Sequence, residues 1–161
     1  MSTTEEAAKV QDLIKESKLA MLTSVDHGEG RIVSRPMAVQ EVDDDGAIWF
    51  FASAESPKAE QLEADPSVNV AITSKSSWVS VAGRAEIVQD RAKIKDLWNT
   101  GVEAWFPDGP DGDDVALLKI TPDSAEYWDV PGTRVAATIA YAKAVVTGER
   151  PDVGENGEVE L

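Results

Sequence analysis

The sequence predicts a mainly β fold: an antiparallel barrel, closed or nearly closed, with helices added at its start, middle and end. Three observations carry this. Seven short runs rich in Val, Ile, Thr and aromatic residues are joined by turns of Gly, Pro, Asp and Ser. Three other stretches carry apolar residues at helical spacing. Strands this short and numerous leave open edges unless the sheet curls round on itself.

Taken in order, residues 4–17 place Val10, Leu13 and Ile14 on one side of a helix and charges on the other, with Thr3 or Thr4 as cap. Residues 19–25 are a first strand, 26–30 (Asp-His-Gly-Glu-Gly) a hairpin turn, and 31–39 a second strand. After an acidic turn over 41–46, residues 47–52 form a third strand. Ser56 and Pro57 suit the cap and first position of a short helix over 57–64, stopped by Asp65-Pro66. Residues 68–73 alternate as a fourth strand. Residues 78–88 form a long fifth strand, with Gly83 marking a bulge or bend near its middle. Asp90 caps a helix running toward Phe106, with Ile94, Leu97, Trp98 and Val102 as its stripe; Gly101 weakens it, which leaves a separate last turn as the alternative. A polar loop over 107–114 precedes two strands, 115–120 and 124–130, turning at Thr121-Pro122-Asp123. A last amphipathic helix covers 135–146. The division expected is one domain over residues 1–148 and an acidic, flexible tail over 149–161.

Composition narrows the function classes. With 15 basic and 30 acidic residues the net charge is −15, which argues against nucleic acid and against an anionic membrane surface. The absence of cysteine removes disulfides, thiolate nucleophiles and Cys-ligated metals. The opening Met-Ser-Thr-Thr-Glu-Glu lacks the pattern of a signal peptide, and no apolar run approaches a membrane span. The reading is a soluble cytoplasmic protein.

Few residues are left to carry chemistry. His27 is the single histidine and sits in a turn, so neither a His-based triad nor a multi-histidine metal site can be built. Asp108, Asp111, Asp113 and Asp114 lack the spacing and closing glutamate of a calcium loop and read as a solvated loop; no metal is expected. No phosphate-cradling Gly-rich motif is present. The basic residues Arg31, Arg35 and Lys58 stand out against apolar or acidic surroundings. Positions 31, 33 and 35 share one face of a strand, so the two guanidiniums point the same way, as phosphate binding needs. Pro36 requires that strand to be an edge, bulged or splayed. Lys58 lies at a helix start, where free N–H groups also attract anions. The plainer alternative is two solvated arginines and an exposed lysine. Of the five tryptophans, Trp98 belongs to a helix stripe, while Trp49 and Trp128 on strands are either core or pocket border. Trp105-Phe106, beside the polar loop, either covers a site or meets a partner chain.

The order Gly30-Arg31-Ile32-Val33-Ser34-Arg35-Pro36-Met37, Trp49-Phe50-Phe51-Ala52-Ser53, Ser56-x-Lys58-Ala59, Asp65-Pro66-x-Val68 and Gly83-Arg84-Ala85-Glu86 resembles the pyridoxamine 5′-phosphate oxidase-like FMN-binding split barrels. Within them it is most similar to the general stress protein 26 group, the match extending through Val115 to Asp129. The resemblance implies a six-stranded antiparallel split β-barrel with flanking helices, over residues 1–148. It also implies a homodimer with FMN, FAD being the alternative, in each of two clefts between subunits. It assigns Arg31 to the phosphate, Ile32, Val33, Ser34, Arg35 and Pro36 to the strand along the flavin ring, and Phe51 and Ala52 to ring contacts. Ser56 and Lys58 become phosphate contacts at the helix start, and Trp78 and Trp105 cleft residues from the partner. Departures are Ala52 in place of a hydroxyl residue, Trp78 in place of glutamine, and a helix and acidic tail in place of the oxidases' terminal Trp-x-x-Arg-Leu segment. The last disfavours pyridoxamine 5′-phosphate oxidation and leaves a flavin-binding stress protein, an oxidoreductase if it is an enzyme. The alternative is a non-catalytic dimeric barrel for another planar anion.

Overall fold

Alternation along the strands decides the sheet. In the computed structural model, described for residues 3–130, 134–150 and 154–161, strand β6 (Ser77–Val88) buries Ser77, Val79, Val81, Gly83 and Ala85 while Trp78, Ala82, Arg84 and Glu86 face outward. The same period of two runs through β1 (Leu19–Asp26), β5 (Ser67–Thr73) and much of β7 (Val115–Asp129). With β2 (Arg31–Ala38) and β4 (Ile48–Ser53) these make six long antiparallel strands in the order β2-β1-β5-β6-β7-β4. A two-residue β3 (Glu41–Val42) extends the sheet beside β4, and β8 (Glu155–Glu160) pairs with β7, so the described sheet has eight strands where six were expected.

The sheet curls but does not zip shut. No ladder joins β2 to β4; the chain itself bridges the gap through Val39 and Gln40, whose N–H groups donate to Lys18 O (2.9 Å) and Trp49 O (2.9 Å). This is the split-barrel architecture. It leaves β2 as an edge strand, where Pro36 is tolerated. Inside the barrel Leu22, Phe50, Val70, Val81, Leu118, Ile120 and Tyr127 are buried, and α1 (Thr3–Glu16) adds Val10, Leu13 and Ile14. On the outer side of β4 and β7, Trp49, Leu117 and Val115 pack with Ile94 of α3 (Arg91–Leu97) in a second cluster.

Three expectations are corrected. First, residues 115–130 do not turn at Thr121-Pro122-Asp123. They run as one 15-residue strand, and the irregularity is a bulge where the β6–β7 register shifts between Ala82 and Gly83. Pro122 cannot donate to a ladder, and a bulge accommodates that. Second, the single run from Asp90 toward Phe106 gives way to the alternative of a separate last turn: Trp98 is extended, and Asn99 Oδ1 accepts from the N–H groups of Gly101 (3.1 Å) and Val102 (3.3 Å), capping α4 (Thr100–Glu103). Third, the stretch expected as a flexible tail supplies β8, whose Glu155–Glu160 pair with Asp129–Ser124 of β7. Helix α5 (Arg134–Thr147) is inserted between β7 and β8.

One lysine ties β8 to the body. Lys9 of α1 bonds Glu155, lies 3.1 Å from Asp129 and sits over the Tyr127 ring at 5.4 Å. The bond to Glu155 is the main cause that holds its pKa above the ordinary lysine value. A raised lysine pKa stabilises the fold below the unfolded-state value, and that contribution fades as pH rises through the folded one. Lys9→Met is therefore expected to speed amide exchange across Glu155–Glu160, by up to about 1 kcal/mol of local stability at neutral pH. Hydrogen exchange with mass spectrometry reads this directly, and the central strands should be unaffected.

Candidate functional site

The site is built where the barrel fails to close. Residues 33, 35 and 37 of β2 face inward and are partly buried, while 32, 34, 36 and 38 are exposed. Arg35 thus points toward the barrel, and its Nη1 donates to the buried Ser24 Oγ of β1 at 3.1 Å. Across the gap, β4 ends at Ser53 and the chain turns into α2 (Pro57–Ala64). That turn is held from a distance by Asp114. Its Oδ1 accepts from Ser53 Oγ (2.5 Å) and Glu55 N (3.1 Å), and its carbonyl accepts from Ala54 N (2.8 Å).

Ser56 caps α2 as expected: its Oγ accepts from Ala59 N at 3.2 Å and donates to Ser53 O at 2.8 Å. The Ser56 carbonyl accepts from Ala59 and Glu60, and Pro57 has no N–H, so among the first-turn donors that of Lys58 is left for a ligand.

Lys58 is the centre of the arrangement. It is half-buried, and its Nζ donates to the thioether of Met37 at 3.5 Å, a weak acceptor for an ammonium. Burial first, and the Arg35 charge second, lower its pKa from the ordinary 10.5. Burial likewise lowers that of Arg35. Neither cation forms an ion pair among the described residues, although the chain carries 30 carboxylates and Lys9, Arg31, Lys93 and Lys95 all have acidic partners. Two partly desolvated like charges without a counter-ion among the described residues make a candidate seat for an anion. One turn along α2 from Lys58, Gln61 Oε1 is buried with no hydrogen-bond partner.

Other expected residues are placed differently. Arg31 stands at the hairpin end of β2, exposed and ion-paired with Glu29, two inward positions away from Arg35. Ile32 and Ser34 are on the outer face, where Ser34 Oγ bonds Thr23 Oγ1 at 2.6 Å. Phe51 and Ala52 point to opposite faces. Ala52 lies in the barrel core, and Phe51 packs edge-on to Trp98 (5.8 Å between centroids) and beside Phe106. Beyond Trp49 the β3 side of β4 has no ladder, so the main chain at 51–52 is paired on its β7 side alone. Trp78 is exposed on the outer face, and Trp105 is 82% exposed after α4. His27 is mostly exposed and pairs with Asp65 Oδ2 at 2.7 Å. Met37, Asp114 and Gln61 were not foreseen as site residues. Met37 shares the Arg35 face two positions on, which period-two alternation can reveal; Asp114 lies 61 residues from Ser53 and gives no local signal.

The family model for pyridoxamine 5′-phosphate oxidase-like proteins matches residues 5–152. The chain belongs to the pyridoxamine 5′-phosphate oxidase-like family. Within it, general stress protein 26 of Bacillus subtilis is 32% identical over 121 residues, 71% of this chain and 82% of that protein. A structure of a general stress protein 26 homologue from Jannaschia sp. CCS1 superposes with a TM-score of 0.78 at 30% identity, covering 98% of this chain and 99% of the other. The general stress FMN/FAD binding protein of Xanthomonas citri gives a TM-score of 0.69 at 28% identity, over 81% of this chain and 92% of its own.

Proposed function

We propose that this member of the family binds FMN, with the phosphate on Arg35, Lys58 and the Lys58 N–H, and the ring along the edge strand β2 and the backbone at Phe51-Ala52. The observation that carries the reading is the Arg35–Lys58 pair, two half-buried cations without an anionic partner among the described residues. A phosphate dianion satisfies both charges and the unused helix-start donor together. The edge strand offers unladdered backbone groups to the polar rim of a flat ring. Arg31, exposed and paired with Glu29, is left out of the seat in this reading. The Xanthomonas citri protein, an FMN/FAD binder, supports the same ligand class. In this reading a homodimer completes the cleft, with the exposed Trp78 and Trp105 of one subunit bordering the ligand of the other.

Bound FMN supplies redox chemistry; the chain supplies binding, orientation and charge. Ala52 offers no side-chain hydrogen bond to the ring, so affinity rests on the phosphate end.

Fluorescence titration tests this. Added FMN should be quenched in a saturable way at micromolar protein, and riboflavin should bind more weakly; no saturable quenching would remove the proposal. The pH profile adds a check. Lys58 in the free protein loses its proton below the ordinary 10.5. FMN affinity should therefore start to fall at a lower pH than a solvent-exposed lysine would give, and riboflavin affinity should not follow it.

A further inference from the structure

Helix α5 is unlike the rest of the chain. Between Arg134 and Thr147 it holds no acidic residue and two basic ones, Arg134 and Lys143, so the remainder of the −15 chain carries −17. It is apolar on more than one side: Ile139 and Tyr141 are exposed, and Val145 and Val146 are 85% and 86% exposed. A helix that is apolar around its circumference is covered in its working state. At 14 residues it is too short to cross a membrane.

A matching surface lies at the helix's own root. α5 leaves the sheet just past the Asp129–Glu155 rung. The neighbouring rung joins Trp78, Trp128 and Asn156 on the outer face, and both tryptophans are exposed. The next rung on that face joins Ser80, Glu126 and Glu158. Glu126 and Glu158 stand directly opposite each other, and neither has an ion pair among the described residues. Like charges in that position repel. The patch is thus an indole pair rimmed by uncompensated carboxylates, complementary to an apolar helix carrying only positive charge.

We infer that α5 docks on the Trp78–Trp128 face of a second copy of this chain, reciprocally, as an exchanged arm. Because root and patch are adjacent, a two-fold axis near the Asp129–Glu155 rung lays each helix, about 21 Å long, across the partner's patch. The contact is self-complementary, as a two-fold interface requires. Val146 and Ile139 cover the indoles, and Lys143, on the same face of the helix, meets Glu126 and Glu158. This inference rests on the homodimer that the flavin reading also invokes, in which Trp78 borders the cleft, but the arm docks without flavin.

The cysteine-free sequence gives a clean test. Chains carrying Val146→Cys are mixed with affinity-tagged chains carrying Asn156→Cys and treated with a short bismaleimide. The expected product is a tagged–untagged species of twice the 17.3 kDa chain mass. Sedimentation gives the second arm: Val146→Glu should weaken dimerisation about tenfold or more, with circular dichroism unchanged. Lys143→Glu should weaken it less, and adding Glu158→Lys in the same chain should restore it. Absence of the mixed cross-link, or a folded Val146→Glu chain that dimerises as tightly as the parent, overturns the inference. If that variant also binds FMN normally, the exchanged arm fails while the flavin proposal stands.

Discussion

Lys58→Met is expected to weaken FMN binding roughly 10–100-fold, the loss of about 1.5–3 kcal/mol from one charge-assisted contact. Riboflavin, which lacks the phosphate, should change by no more than about twofold. Arg35→Met should act in the same way, and the double variant should abolish the preference of FMN over riboflavin. Arg31→Met should leave that preference intact, because Arg31 is paired with Glu29 at the hairpin end. Stability should move in the opposite direction. The lowered Lys58 pKa means that the unfolded chain holds its proton more tightly than the folded one. Apoprotein stability therefore rises as pH climbs from the lowered value to the ordinary one, and the charged amine is a cost at neutral pH. Methionine keeps the stem against Met37 and removes the charge. Lys58→Met should raise the apoprotein's Tm, by up to about 1 kcal/mol of stability, while weakening FMN. A variant that lowers both would show Lys58 to be a structural residue.

Gly83→Ala is expected to be strongly destabilising, at about 3 kcal/mol. A Cβ there would sit 2.5 Å from the Thr121 carbonyl oxygen and 3.2 Å from Pro122 Cα, both backbone atoms of the strand to which β6 is paired. Neither can swing aside as a side chain can. The bulge at this rung brings the two backbones together, so relief requires shifting the β6–β7 register. Ala82→Val, one residue away on the exposed face, is the control and should change stability by about 0.5 kcal/mol or less. Urea unfolding with an unchanged m-value distinguishes lost stability from a changed native state.

These variants also mark how far the sequence could be read. Strand and helix positions follow from local spacing, which is why α2 and the six long strands are found where their apolar patterns place them. The Thr121-Pro122-Asp123 segment misleads because turn residues and a proline at a bulge look alike in one chain; the difference lies in Gly83 opposite. β8 buries only Val159 and is recognised by main-chain pairing and by Lys9, neither of which leaves an apolar pattern. The split of the 90–106 helix lies in Asn99, whose side chain caps a new turn more effectively than the stripe continues the old one. At the site, Ser56 and Lys58 are visible as a helix start. The sequence places Arg31 and Arg35 on one face by strand period, and the fold keeps them on one regular strand; the curl of the sheet partly buries Arg35 beside Ser24 and within the influence of Lys58, and leaves Arg31 exposed at the hairpin with Glu29. That curl is a long-range property that no local window contains.

A crystal structure of the protein with FMN tests the central claim most directly. The proposal predicts the phosphate within about 3.2 Å of Lys58 Nζ and an Arg35 guanidinium nitrogen, with the ring against β2. Density that places the phosphate on Arg31 with Lys58 still turned to Met37, or FMN in the groove of about 280 Å³ between α1 and the Asp45-Gly46 turn, would contradict it.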